Sequence, residues 1–152
     1  MNESGKIPWN SITDFHEEKY SFLSNFFEAT VEYKGLSYGS NEAAFQAQKC
    51  MTEEEKISFT TLKPGKSKSL GRRVQLRPDW ETVKYDIMEE IVHAKFFQHP
   101  DLAYKLLATG DKVLVEGNRW GDIYWGVDMN TGQGENHLGR ILMKVREELR
   151  GQ

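Results

Sequence analysis

Glu42, Gln46 and Lys49 stand at i, i+4 and i+7 within the stretch YGSNEAAFQAQK, Tyr38 to Lys49. On a helix that spacing lines an acid, an amide and an amine along one stripe. A carboxylate can donate or accept a proton, and a neutral amine can attack an electrophilic carbon. The remaining residues make the helix: Ser40 suits an N-cap, and Ala43, Ala44, Phe45 and Ala47 bring propensity and apolar surface. On spacing alone the stripe reads more readily as a solvated helix face than as a site.

A second stretch with chemistry in it follows Glu116. GNRWGDIYWGVDMNTGQGEN holds Trp120, Tyr124 and Trp125 beside Asp122 and Asp128, with five glycines. Surface loops are usually polar, so aromatic rings next to carboxylates suit a wall that stacks a base or sugar beside proton chemistry. Trp120 taken singly reads better as a residue that folds the loop onto the core. GQGEN is not a dinucleotide fingerprint, because no clean strand precedes it and its glycine spacing differs. It does bring backbone N–H groups and the start of the last helix together, an arrangement expected to receive a phosphate.

Charge is concentrated. Six of the 20 basic residues and none of the 23 acidic ones fall in KPGKSKSLGRRVQLR, Lys63 to Arg77. A basic, glycine-containing loop in an otherwise acidic chain suits an anionic ligand, phosphate above all, through Lys66, Arg72 and Arg73. A solvated loop is the equal alternative. The overall charge of -3 excludes a nucleic-acid coat protein. One cysteine, Cys50, allows no internal disulfide and reads as a small core side chain in a reducing, cytoplasmic setting. The chain shows neither a run of about 20 apolar residues nor the apolar centre of a signal peptide, so no membrane is expected. His16, His93, His99 and His137 form no ligand spacing, so no metal is expected.

The elements that must position these groups can be read in order. EATVEYKGLSY, residues 28 to 38, alternates about Lys34-Gly35 and predicts a β-hairpin. Ser40 opens the stripe-bearing helix. Thr52 and Glu55 form a capping box for a helix to about Leu62. Asp79 is expected to cap a longer helix with Trp80, Val83, Ile87, Ile91 and Ala94 inward, ending at His99-Pro100. DLAYKLLAT stops at Gly110, Lys112 to Glu116 is a brief strand, and Asn136 caps a last helix burying Leu138, Ile141, Leu142, Val145 and Leu149. The expected fold is an α-dominated α+β domain of about six helices with a small hairpin, over residues 14–152. A flexible N-terminal segment, residues 1–13, is expected to precede it.

Several pieces in order resemble the YbiA-like, or NADAR, family: LSNFF (Leu23 to Phe27), YGSNEAAFQAQK, RPDW (Arg77 to Trp80), AKF (Ala94 to Phe96), LLATG (Leu106 to Gly110), LVE (Leu114 to Glu116), WGDIYWG (Trp120 to Gly126) and GENHLGRILMKVR (Gly134 to Arg146). Many members carry a histidine after the helix glutamate, where this chain has Ala43. The resemblance implies an N-glycoside hydrolase without a cofactor. Two substrate classes go with it: ADP-ribose on the amino group of guanine in nucleic acid, the lesion left by DarT-type toxins, and phosphoribosylamino-pyrimidine intermediates of riboflavin synthesis. Both join ribose C1 to an exocyclic amine. A separate DarT-type toxin is the implied partner in the first case. A non-catalytic ADP-ribose or nucleotide-binding module is the reading of a different class.

That implication turns the stripe into a catalytic candidate. Glu42 would handle protons, Lys49 would serve as nucleophile or phosphate contact, and Asp122 would orient ribose or water, or else cap a turn. Candidate substrate contacts are Asn25, Gln46, Arg72, Lys95, Glu116, Trp120, Trp125, Gly126, Gly134 and Asn136. Lys95 is also an alternative nucleophile, and Asn25 has a turn-forming alternative.

Overall fold

The computed structural model describes residues 7–152, and its backbone falls into two compact units, each considered separately. The expected flexible lead-in lies partly outside the described residues; within them, Ser11–Ile12 forms a short strand. One unit is Asn25–His99, and the other combines the chain before Asn25 with Pro100–Gln152.

In the Asn25–His99 unit, strands β2 (Glu28–Tyr33) and β3 (Leu36–Ser40) form the expected antiparallel hairpin; β1 is Ser11–Ile12. Its turn needs two positive φ angles, which Lys34 (51°) and Gly35 (86°) provide. β3 leads directly into α1 (Asn41–Ala47), where the Ser40 hydroxyl accepts a bond from the Ala43 N–H at 3.1 Å. Every residue of α1 is buried, which a solvated helix face could not be. The helix also ends sooner than its apolar pattern suggests: Gln48 is its C-cap, and Lys49 lies in the turn beyond.

The next helices differ from expectation. α2 covers only Glu53–Ile57, capped by Thr52 as predicted, and residues up to Leu62 continue as turns. The basic segment is not a loop: Pro64–Gly71 forms α3, which packs against α1. Pro64 occupies the first helical turn, where its missing N–H costs nothing. α4 (Trp80–Gln98) is the long helix. Asp79 makes no cap bond with its side chain and instead pairs with the Arg77 guanidinium at 2.6 Å. The end of α4 covers the edge of β2, because Gln98 exchanges two hydrogen bonds with the Glu32 backbone, both 2.9 Å. Phe45, Phe59, Trp80, Met88, Ile91 and Phe96 fill this unit's core.

In the other unit a 3-10 helix over Glu18–Leu23 precedes α5 (Pro100–Ala108), which stops at Gly110 with φ 63° as predicted. β4 (Val113–Leu114) pairs in parallel with β1, and β5 (Gly117–Asn118) with β6 (Val127–Asp128). α6 (His137–Arg150) buries Leu138, Ile141, Leu142, Val145 and Leu149, the five residues its spacing selects. α6 packs on α5, and Arg146 fastens the join through Thr109 Oγ1 and the Lys112 carbonyl, both 2.9 Å. Among the described residues, no helix is long and apolar enough to cross a membrane.

Candidate active site

Glu42 sits in the first turn of α1 and is only 7% exposed. Its backbone N–H donates to the Asn25 carbonyl at 2.9 Å, which ties the helix start to the LSNFF segment. One turn on, Gln46 Nε2 donates to Glu42 Oε1 at 2.9 Å, so the amide holds the carboxylate rather than projecting into solvent. Asn25 is buried too: its Oδ1 accepts from Asn41 at 3.5 Å, and its Nδ2 points at the Met88 sulfur at 3.4 Å.

Lys49 follows in the turn after α1. The backbone there is anchored by Arg77, whose N–H donates to the Lys49 carbonyl at 3.0 Å and whose guanidinium reaches the Gln48 carbonyl at 3.4 Å. The Lys49 ammonium lies 5.9 Å from the centre of the Trp80 ring, which itself packs on Phe45 at 5.0 Å. Burial lowers the proton affinity of this amine below that of an ordinary lysine. The Glu42 carboxylate raises it again, while the charges of Arg72, Lys68 and Lys84 lower it further. A depressed amine among other cations is more often neutral, and therefore more nucleophilic, than a solvated lysine. It follows that Lys68→Ala or Arg72→Ala should let Lys49 hold its proton to higher pH. Where Lys49 must be neutral, the acid limb of the pH–rate profile should move upward in each variant; an unmoved limb would separate those charges from Lys49.

The basic segment thus contributes as two turns of helix, not as a flexible cradle. Lys68 and Arg72 are four apart and share a face. Lys68 also lies 5.7 Å from the ring of Phe26, which is exposed on this unit. Arg73 and Lys66 are exposed, and the cations that lower the proton affinity of Lys49 are Arg72, Lys68 and Lys84. Lys68, Lys84 and Trp80 were not expected near Lys49. A basic residue four before Arg72 and a tryptophan after an RPD turn were the available signals.

Lys95 is a separate case on α4, 1% exposed, with its ammonium 5.3 Å from the Phe27 ring and 5.2 Å from Phe96. Burial brings its pKa down to about 7 from 10.5. Between those two values the unfolded chain holds a proton that the folded chain has released, so this group makes stability rise with pH across that window. Below it the folded amine is charged where burial disfavours the charge, and the full cost is present. Lys95→Met should therefore stabilise the fold at pH 7 by on the order of a few kcal/mol and flatten the rise, as read by urea unfolding against pH. A variant no more stable than the wild type would contradict the buried-charge assignment. The Cys50 thiol, pushed up to about 11 by burial, is an inert core group as expected.

The remaining candidates lie in the other unit. Asp122 Oδ1 accepts from the N–H groups of Tyr124 and Trp125 at 3.1 and 3.0 Å, shaping the turn they occupy. Asn118 bridges the two acids here: its Nδ2 donates to Glu116 Oε2 at 3.2 Å and its Oδ1 accepts from the Asp122 N–H at 3.0 Å. Trp125 packs edge-on against Tyr124 at 4.7 Å. Trp120 is 56% exposed, with only the edge of His16 beside it at 5.4 Å among the ring contacts described. It does not fold onto the core.

Two expectations for this unit are corrected. Asn136 does not cap α6 with its side chain. It adopts a left-handed backbone, φ 55°, and its amide joins the Leu114 carbonyl at 3.0 Å to the Glu116 N–H at 2.9 Å. Nor are the amides around the start of α6 open to a phosphate. Those of Glu135, Asn136, His137 and Leu138 donate to the carbonyls of Ile123, Gly126, Tyr124 and Trp125. Gly126 and Gly134 serve this close approach: a Cβ on Gly134 would lie 2.2 Å from the Gly126 carbonyl, and one on Gly126 would lie 2.1 Å from Glu116. Among the described residues, no three His, Cys, Asp or Glu side chains gather as a metal site would require.

With a buried acid at Glu42 and, seven residues on, a depressed amine at Lys49, the fold and the site can be compared with known proteins. The model of the NADAR domain matches residues 13–150, and the chain belongs to that family. N-glycosidase YbiA of Escherichia coli (strain K12) is 36% identical over 145 residues, covering 92% of this chain and 89% of that protein. An N-glycosidase of Nostoc punctiforme is 38% identical over 139 residues, 88% of each chain. A riboflavin biosynthesis protein of Vibrio vulnificus is 39% identical over 137 residues, and the chain spans 36% of its length. The NMR structure of E. coli YbiA matches with a TM-score of 0.80 at 32% identity, over 97% of this chain and 90% of that one. The α+β YbiA-like fold expected from the sequence is therefore the observed one.

Proposed function

We propose that this chain is an N-glycosidase that cleaves the bond between ribose C1 and an exocyclic amine, removing ADP-ribose from ADP-ribosylated guanine in nucleic acid. The observation that carries this reading is the buried Glu42 carboxylate, fixed by Gln46, within electrostatic reach of an amine whose proton affinity burial has lowered. A binding module has no need of that pair. Names of related proteins support the reaction class, since several are N-glycosidases.

The chemistry balances without a cofactor. A glycosylamine opens to its imine as the ring oxygen of ribose takes a proton. The neutral Lys49 amine adds to C1, its proton passes by way of Glu42 to the guanine nitrogen, and the amine leaves with the electron pair of the broken C1–N bond. Water then adds to the lysine iminium, Lys49 is expelled, and the released aldehyde closes to the free sugar. The Lys68–Arg72 face of α3 contributes the positive charge that a diphosphate or phosphate needs.

A second substrate has one specific observation behind it, the similarity to a riboflavin biosynthesis protein. That reading keeps the bond and changes the amine to a phosphoribosylamino-pyrimidine. Side-by-side kcat/KM values on a guanine-ADP-ribosylated oligonucleotide and on the phosphoribosylamino-pyrimidine decide between them. The proposal expects the oligonucleotide to be preferred at least tenfold, about 1.4 kcal/mol in transition-state binding. Preference for the pyrimidine would move the chain to the second reading.

A further inference from the structure

We infer that Gly71 and Gln46 are positioning residues: Gly71 on α3 leaves the space in which the Gln46 amide lies, and that amide sets the placement of the Glu42 carboxylate. The inference deepens the proposed reading of Glu42 as the proton-handling group, and rests on it for its kinetic consequences only.

A Cβ built on Gly71 would lie 2.0 Å from Gln46 Oε1 and 2.8 Å from its amide carbon. Real Cβ atoms do not approach that closely, so any side chain at this position displaces the Gln46 amide. The displaced group is the one that donates from Nε2 to Glu42 Oε1 at 2.9 Å. Gln46 Oε1 is buried and has no hydrogen-bond partner. A flip of the amide would set two oxygens against each other at Glu42 and aim the N–H groups at the Cα of Gly71. The orientation is therefore dictated by the accepting Glu42 Oε1 on one side and a glycine on the other. Gln46, placed by sequence among the substrate contacts, turns the donor end of its amide to Glu42.

Gly71 is not required by its own backbone. It is helical, without the positive φ that would demand glycine. Alanine there is expected to favour the helix, the two shortest contacts fall on the far end of a flexible side chain, and Gln46 Cβ at 3.2 Å needs to give by only a few tenths of an ångström. Ser67, four residues earlier, is likewise small and fully buried, so Ser67 and Gly71 share the buried face of α3. Gly71→Ala thus isolates the effect: the fold survives while the amide moves.

The test has two arms. In NMR spectra, the Gln46 side-chain amide signal, assigned by its loss in Gln46→Ala, should move in Gly71→Ala about as far as it moves in Glu42→Gln. An unmoved signal in Gly71→Ala overturns the inference, and this arm needs no substrate. The second arm measures kcat and KM on whichever of the two glycosylamines the wild type cleaves. Gly71→Ala and Gln46→Ala should each lower kcat by about tenfold or more with KM within about threefold, and the double variant should be no slower than Gln46→Ala by more than about twofold. Multiplied losses in the double variant, or a raised KM with kcat unchanged, would overturn it. Failure of the wild type to cleave either compound counts against the proposed function alone, since the amide signal still decides the positioning.

Discussion

Glu42→Gln should lower the rate of ADP-ribose release by about 10²–10⁴-fold while leaving the fold intact. The substitution keeps the shape of the side chain and its place in a wholly buried helix, so the thermal midpoint should stay within a few degrees. What it removes is the ability to carry a proton between the amine that attacks and the amine that leaves. Gln46 would then face an amide instead of a carboxylate, and its donor would lose the charge assistance that roughly doubles such a bond. The measurement is a single-turnover rate beside a melting curve. A loss of only a few fold with an unchanged melting curve would remove Glu42 from proton transfer.

Lys49→Ala should be comparably severe, at about 10²-fold or more, because no water molecule replaces an amine that forms a covalent bond to C1. Borohydride added during turnover should reduce the lysine iminium and leave the sugar attached to the peptide containing Lys49. The adduct should vanish in Lys49→Ala. The site of attachment also distinguishes the two depressed amines of this unit. Lys95, with a pKa of about 7 and 1% exposure, is the more perturbed of the two, and its ammonium lies near the rings of Phe27 and Phe96. An adduct mapped to Lys95 would reassign the nucleophile, and no adduct at all would leave Lys49 as a phosphate contact.

The parts of this site that were legible in the sequence are local ones. Lys34-Gly35 announces its hairpin because two adjacent positive φ angles are tolerated by few residue pairs. α6 declares its buried face because five apolar side chains recur at helical spacing. Glu42 and Lys49 were legible as residue types in a recognisable motif. Their relation was not: the helix ends before Lys49, so the expected stripe breaks, and the two are brought into electrostatic reach by the turn that Arg77 anchors.

What escaped the sequence depends on contacts between distant residues. α3 read as a loop because its glycines and lysines give no apolar period, although Pro64 was a helix-start signal in plain view. The meaning of Gly71 lies in Gln46, 25 positions earlier, and no local pattern records that approach. The amides near the start of α6 resembled a phosphate nest until their carbonyl partners at Ile123 to Gly126 were known. Short parallel pairs such as β5 with β6 are two residues long, too brief to leave a period.

The central claim is that this chain breaks a ribose–amine bond. Its most direct measurement is a time course of the purified protein with a guanine-ADP-ribosylated oligonucleotide, followed by mass spectrometry of both products. The wild type should release free ADP-ribose and restored guanine in equal amounts, with neither above background from Glu42→Gln. Tight binding of ADP-ribose with no cleavage of this oligonucleotide or of the phosphoribosylamino-pyrimidine would contradict it and leave a binding module in its place.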